Sequence, residues 1–298
     1  MWKPLKRLAL AATLALTATA GAQAAEPLNV VVTFSVLGDL VKQIGGDKVS
    51  VISLVAPGGD AHVYQPTPTD AVSIAHADVI VVNGLGMEGW LDRLIAASGA
   101  KAPIVVASAG IKPQTMEEEG KRITDPHAWQ NLANGQAYTL TIGAALAKAD
   151  PANAAFYRPR AEGYATGLGD LDAWVKTQIA QVPPAKRKII TSHDAFGYFA
   201  KAYGVTILAP VGISTDSEPT AAGLGALSDQ IKKEGIKALF IENMTDPRLI
   251  QTLAHESGAV IGGTLYSDSL SPLGGPADNY VMMFRHNVPA MVAAMQKN

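Results

Sequence analysis

Two series of short apolar runs, each run followed by a stretch of helical periodicity, constrain this chain more than any other feature. Residues 28–33 are near-continuously apolar, and a helical pattern over 36–44 follows that Gly45-Gly46 would stop. Runs at 49–55, 78–82 and 103–107 repeat the signal, with helical patterns between and after them, including 86–98 and 127–148. A second series lies at 188–191, 205–208, 237–241 and 259–262, with helices expected over 194–203, 219–234 and 247–257. Buried strands alternating with helices define the parallel α/β class. Thr67-Pro68-Thr69-Asp70 marks one helix start, with Thr67 as N-cap, Pro68 in the first turn and Asp70 closing a capping box.

Between the two series, Tyr164, Leu168, Leu171, Val175, Ile179 and Val182 recur at spacings of three and four. That pattern reads as one helix of about thirty residues, ended by Pro183-Pro184. Gly163, Gly167 and Gly169 each weaken it by about 1 kcal/mol relative to alanine, so it depends on packing against both neighbours. The implied architecture is two lobes (25–150 and 185–298), each a parallel β-sheet flanked by helices, joined by one long rigid helix (151–184). Ligands of open α/β sheets bind at the carboxyl ends of the strands, which here face the cleft between the lobes.

The 298 residues suffice for two domains of about 100–200 residues each. With 24 basic against 26 acidic residues and no Lys/Arg-rich block, nothing marks a nucleic-acid partner. The chain has no cysteine, which removes disulfides, thiol nucleophiles and thiolate metal sites together. Any metal must rest on nitrogen and oxygen. At the start, Lys3, Lys6 and Arg7 precede an uncharged apolar run at 8–20 and a small-x-small site at Ala22-Gln23-Ala24. Residues 1–24 therefore read as a signal peptide: the run spans only about 20 Å at 1.5 Å per residue, short of a hydrocarbon core of about 30 Å. No other stretch reaches 18 apolar residues. Without a cysteine after the apolar run, the expectation is a soluble periplasmic protein with no lipid anchor.

Of the six histidines, His76, His255 and His286 lie inside or near helical stretches among polar neighbours and read as surface residues. His62 in DAHVYQPTPTD, His127 in TDPHAWQN and His193 in TSHDAFGYF stand where a strand or loop leads into a helix, facing the cleft. Asp268 in LYSDSLSP follows the last expected strand. Three imidazoles and one carboxylate from four separate loops make a nitrogen/oxygen set of the kind zinc favours. Asp60, Asp125 and Glu242 are candidates to fix the second nitrogen of each ring. Trp90, Trp129, Tyr198 and Tyr203 have spacings that fit core packing. No G-x-S-x-G elbow, P-loop or G-x-G-x-x-G fingerprint occurs, and Gly84-Leu85-Gly86 reads as a strand-to-helix turn. Three histidines plus water would instead fit a zinc-dependent hydrolase, the rival reading if Asp268 is not a ligand.

The stretches DAHVYQPTPTD, DPHAWQNL, TSHDAFGYFAKAYG, GISTDSEPTAAGL, ALFIENMTDPRLIQTLAHESGA and YSDSLSP with DNYVMMFRHNV span nearly the whole chain in order. Together they resemble the zinc/manganese solute-binding proteins of bacterial metal-uptake ABC transporters. The resemblance implies metal ligands at His62, His127, His193 and Asp268, two lobes on one rigid helix, and a monomer that delivers Zn2+, or alternatively Mn2+, to a membrane permease. A surface adhesin on the same fold is a further alternative. Three departures stand out. The usual Asp-Pro-His is Asp60-Ala61-His62 here, which would loosen the turn. The third position is His193 where manganese-directed members commonly carry a carboxylate, which leans toward zinc. A long His- and acid-rich loop is missing, and the cluster Glu117-Glu118-Glu119 with Lys121 and Arg122 reads as a solvated loop.

Overall fold

The computed structural model describes residues 26–118, 121–216 and 219–298, so the signal peptide expected over 1–24 lies outside the described residues. The first half runs β1 (Leu28–Phe34), α1 (Ser35–Gly45), β2 (Val49–Val55), α2 (Pro68–Ala75), β3 (Val79–Val82), α3 (Leu91–Ser98) and β4 (Ile104–Val106). These strands pair in parallel in the order β2-β1-β3-β4. Strand β1 is central and buried on both faces from Val30 to Phe34, which is why it reads as a continuous apolar run and not as an alternation. An antiparallel ribbon of β5 (Gln114–Glu118) and β6 (Lys121–Asp125) follows, then α4 (Leu132–Ala149) and α5 (Ala154–Ala180). The second half contains β7 (Lys188–Ile190), α6 (Gly197–Tyr203), β8 (Thr206–Leu208), α7 (Ala221–Glu234), β9 (Ala238–Glu242), α8 (Arg248–Ser257), β10 (Val260–Leu265) and α9 (Tyr280–Met295). Its parallel sheet has the order β10-β9-β7-β8. The fold is thus α/β, with two parallel sheets flanked by helices and one long helix between them.

Several boundaries differ from the expectation for local reasons. The helix expected from 127 starts only at Leu132, because the Asn131 side chain caps it by accepting from Ala133 N at 2.9 Å and a 3-10 turn, Ala128–Gln130, precedes it. The helix expected from 86 starts at Leu91, since Gly84, Leu85 and Gly86 all have positive φ and cannot continue a right-handed turn. Within the charged stretch read as a solvated loop, Glu117 and Glu118 end β5 in register opposite Arg122 and Lys121 of β6. At α2 the capping box forms as expected: Asp70 N donates to Thr67 Oγ1, and Thr67 N donates to the Asp70 carboxylate at 2.6 Å.

Helix α5 buries Tyr157, Ala161, Leu168, Leu171, Val175 and Ile179 and packs on α4, α1, α9 and α6. One apolar core runs from the first sheet through α1, α4, α5 and α9 to Ile189, Phe196, Phe199, Phe240 and Leu265 of the second half. A smaller cluster of Ile190, Ile231, Leu239, Ile250 and Leu253 lies under α7 and α8. The guanidinium of Arg285 on α9 sits 4.1 Å from the centre of the Trp174 ring on α5, tying the two helices further. Halves that share a continuous apolar core resist hinge motion. Helices α4 and α5 come close at Gly143 of α4, where an added Cβ would stand 2.4 Å from Ala161 Cβ of α5, whereas one at Gly163 would meet nothing within 4 Å. Gly143→Ala is therefore expected to destabilise the protein by about 1–3 kcal/mol through overpacking, and Gly163→Ala to stabilise it by up to about 1 kcal/mol. Urea unfolding of both variants checks the pair, and equal effects would contradict this packing.

Candidate metal centre

Each candidate ligand follows the carboxyl end of a strand. His62 lies in the loop after β2, where its backbone N–H donates to Asp60 Oδ1 at 2.9 Å and the Trp90 indole N–H donates to Ala61 O at 2.8 Å. The turn that alanine was expected to loosen is thus pinned on both sides of position 61. His127 follows β6 and opens the 3-10 turn Ala128–Gln130. His193 follows β7 and forms a lone parallel bridge with Val211. Asp268 follows β10.

The structure brings all four together, with one ligating atom from each lying within 4.8 Å of the others. His62 Nε2 is 3.2 Å from His127 Nε2 and 3.2 Å from Asp268 Oδ2. Asp268 Oδ2 is 3.0 Å from His193 Nε2 and 3.6 Å from His127 Nε2. A tetrahedral ion with bonds of about 2.0–2.1 Å needs ligand atoms about 3.3 Å apart, the middle of this range. Asp268 Oδ1 is buried without a hydrogen-bond partner. The side chains of His127, His193 and Asp268 are fully buried, and His62 keeps 4% exposure. His62 also lines a groove of about 650 Å³ between Leu85 to Gly89, Ile123 and Thr124 on one side and Ile213 to Asp216 on the other. Of the four candidate ligands, His62 is the one whose side chain keeps some exposure, and it keeps it on this groove.

Two of the three expected ring partners are present. Asp125 Oδ1 lies 2.9 Å from His127 Nδ1 and also accepts from His127 N. A carboxylate only accepts, so Nδ1 carries the proton there and Nε2 turns toward the cluster. Glu242 Oε1 accepts from His193 N at 2.9 Å, and Glu242 Oε2 is 2.8 Å from His193 Nδ1, off the line of a straight hydrogen bond. Asp60 supports the backbone of His62 and not its ring. The aromatic residues pack as expected, yet three of them also reach the segments that carry ligands. The Trp129 ring stands 5.3 Å from that of His127, Trp90 holds Ala61, and Tyr198 Oη accepts from Gln114 N while donating to Asp125 O.

Sequence reasoning missed Glu88, a buried carboxylate that accepts from Thr33 Oγ1, Asn83 N and Gly84 N, and Asn83, whose amide donates to Pro126 O next to His127. Burial raises the Glu88 carboxyl above the usual range. The only signal in the sequence was its place, four residues after Gly84. His76 Nδ1 lies against Val72 O, and His286 Nε2 against Thr264 O with its ring edge-on to Tyr266, centres 5.2 Å apart.

Burial disfavours charge on His127, but Asp268 and Asp125 together outweigh it and push the ring up to about 9. For His193 burial is likewise outweighed by Glu242 and Asp268, and the ring is held well above the usual histidine range. Burial opposes ionisation of Asp268 in turn, yet His127 and His193 hold it well below the usual carboxylate range.

A family model for periplasmic component A of the zinc-uptake complex matches residues 30–294. The chain is 33% identical over 272 residues to the manganese-binding lipoprotein MntA of Halalkalibacterium halodurans, covering 91% of this chain and 90% of that one. It is 34% identical over 281 residues to the iron ABC transporter substrate-binding lipoprotein MtsA of Streptococcus pyogenes, at 91% and 90% coverage. The periplasmic zinc-binding protein TroA of Treponema pallidum superposes with a TM-score of 0.85 at 31% identity, over 90% of this chain and 99% of that one. The fold and site thus define a metal-binding substrate-binding protein of an ABC transporter, a carrier and not an enzyme, which removes the hydrolase reading. The chain belongs to the family of periplasmic zinc-uptake component A, whose members work with permease and ATPase components.

An extracytoplasmic location is supported, but the expectation of a soluble protein without a lipid anchor is overturned, because MntA and MtsA are lipoproteins.

The raised His127 sets the pH dependence. A ring whose proton is held more tightly in the folded protein stabilises the metal-free fold below pH 6.5, and that contribution is lost as pH rises through about 9. Metal must displace that proton and the one held on the raised His193 ring, so affinity is expected to climb by about tenfold per pH unit for each proton displaced between pH 6.5 and 8.5. Competition titrations against a chromophoric chelator read this slope. A plateau above pH 7 would contradict a proton held on His127.

Proposed function

We propose that this protein captures Zn2+ with His62, His127, His193 and Asp268 and delivers it to an ABC permease, the halves 25–150 and 185–298 acting as lobes on either side of the linking helix 151–184. The observation that carries this reading is the convergence of three imidazole nitrogens and one carboxylate oxygen within 4.8 Å, in a buried setting, at spacings that suit a tetrahedron. Three nitrogen donors suit zinc, whereas manganese is served better by oxygen-rich octahedral sets. Four protein ligands close the coordination sphere, which fits a carrier that must hold its ion away from water.

The second reading is Mn2+. It is favoured by the unpartnered Asp268 Oδ1, which can add a fifth donor if the carboxylate binds through both oxygens.

Zn2+ and Mn2+ titrations of chelator-stripped protein separate the two readings, with tighter zinc binding and about one ion per chain expected. His193→Ala and Asp268→Ala are each expected to weaken zinc binding by more than about 100-fold, beyond what loss of an outer-shell partner causes. Unchanged affinity in both variants would overturn the ligand assignment, and tighter manganese binding would reverse the choice of ion.

A further inference from the structure

Three of the four candidate ligands come from strand ends in different parts of the chain, and one residue touches the support of each. Ser267 is fully buried and immediately precedes Asp268. Its carbonyl accepts from Trp129 Nε1 at 3.0 Å and Gln130 Nε2 at 2.8 Å, two and three residues beyond His127 in the same 3-10 turn. Its hydroxyl donates to Glu242 Oε2, the oxygen that faces His193 Nδ1. The preceding residue is clamped as well, because Asn287 of α9 accepts from Tyr266 N and donates to Tyr266 O.

We propose that Ser267 is a positioning residue for metal capture: its carbonyl and hydroxyl lock Asp268, the His127 turn and the His193–Glu242 pair into one frame before the ion arrives. The inference rests on the metal-carrier reading above. The hydroxyl is the part that matters for the ring of His193. Glu242 Oε2 faces both the Ser267 hydroxyl and the ring nitrogen, and a carboxylate that loses one of its donors is free to turn. None of the hydrogen bonds of Ser267 reaches His62, whose loop is held by Asp60, Trp90 and, at Gly58, by Ser269 and Leu270. Ser267 therefore governs three ligands as a unit and leaves the fourth to its own loop.

The test uses the full mature chain and two probes, Zn2+ for affinity and Co2+ for geometry, because the visible bands of Co2+ report coordination directly. Ser267→Ala is expected to bind Zn2+ about 10–100-fold more weakly, mainly through faster dissociation. At saturating Co2+ its absorption should be weaker and displaced from that of the unmutated chain. Ser267→Thr keeps the hydroxyl and should restore the spectrum. Gln130→Met removes one donor to the Ser267 carbonyl without touching the hydroxyl, and should shift the spectrum in the same direction by a smaller amount. It also serves if Ser267→Ala folds poorly. An unchanged Co2+ spectrum and Zn2+ affinity in both Ser267→Ala and Gln130→Met would overturn the positioning role while leaving the carrier reading intact. Failure of the unmutated chain to bind either ion would overturn the carrier reading, and the positioning role with it.

Discussion

A carboxylate without solvent, Asp268, is the constraint on which the rest of the centre depends. Burying an ionised carboxyl group is costly unless a positive charge or donors stand beside it. Here the compensation is supplied by imidazoles from three other segments, two of them fully buried with it. In the metal-free protein the rings do this by keeping protons, which explains why His127 and His193 are held above the usual histidine range and Asp268 below the carboxylate range. A divalent ion placed among the same four atoms does the same work with more charge. Under the proposed assignment, loading would exchange protons for metal at nearly constant local charge.

How much of this was legible in the sequence depends on the range of the interaction that carries it. Strand β1 was visible because burial on both faces leaves an uninterrupted apolar run, and α5 because its buried positions keep a helical spacing over its whole length. His193 and Asp268 were visible because each stands just past an expected strand, where an α/β fold places its chemistry, and His62 and His127 because each lies on the way into a helix. Helix α9 was not read as an element. It is buried at Tyr280, Met283, Phe284, Asn287, Val288, Met291 and Val292 and carries Pro289 inside, so it lacks the polar face and clean interior that mark a helix. The β5–β6 ribbon was hidden for the opposite reason, since the ends of its two strands are charged and its order lies in the register of Glu117 with Arg122. Ser267 could not be found by residue type at all. Part of its role runs through its carbonyl, which every residue has, and the rest through Glu242, 25 positions away.

The outer partners divide the labour unevenly. Asp125 and Glu242 stand beside ring nitrogens, while Asp60, Trp90 and Asn83 act on the backbone of the loops that bear the rings. The first kind sets which nitrogen is free to bind; the second sets where that nitrogen is. The aromatic residues of the core take part in the second task, so packing and site geometry are not separable here. Trp129 fills space against Phe34, with ring centres 5.0 Å apart, and at the same time holds the carbonyl next to Asp268.

The position of α9 also bears on how the chain reaches its fold. This helix packs on α1 and α5 as well as on β7, β9 and β10, so it closes the apolar core of the first half with residues more than 240 positions downstream of β1. Contacts of such long sequence separation must wait for the intervening chain, and they slow folding relative to local pairing. The apolar core under the first sheet is incomplete without α9, and the ion-binding frame shares that dependence, because Asn287 of α9 holds both backbone groups of Tyr266, two residues before Asp268.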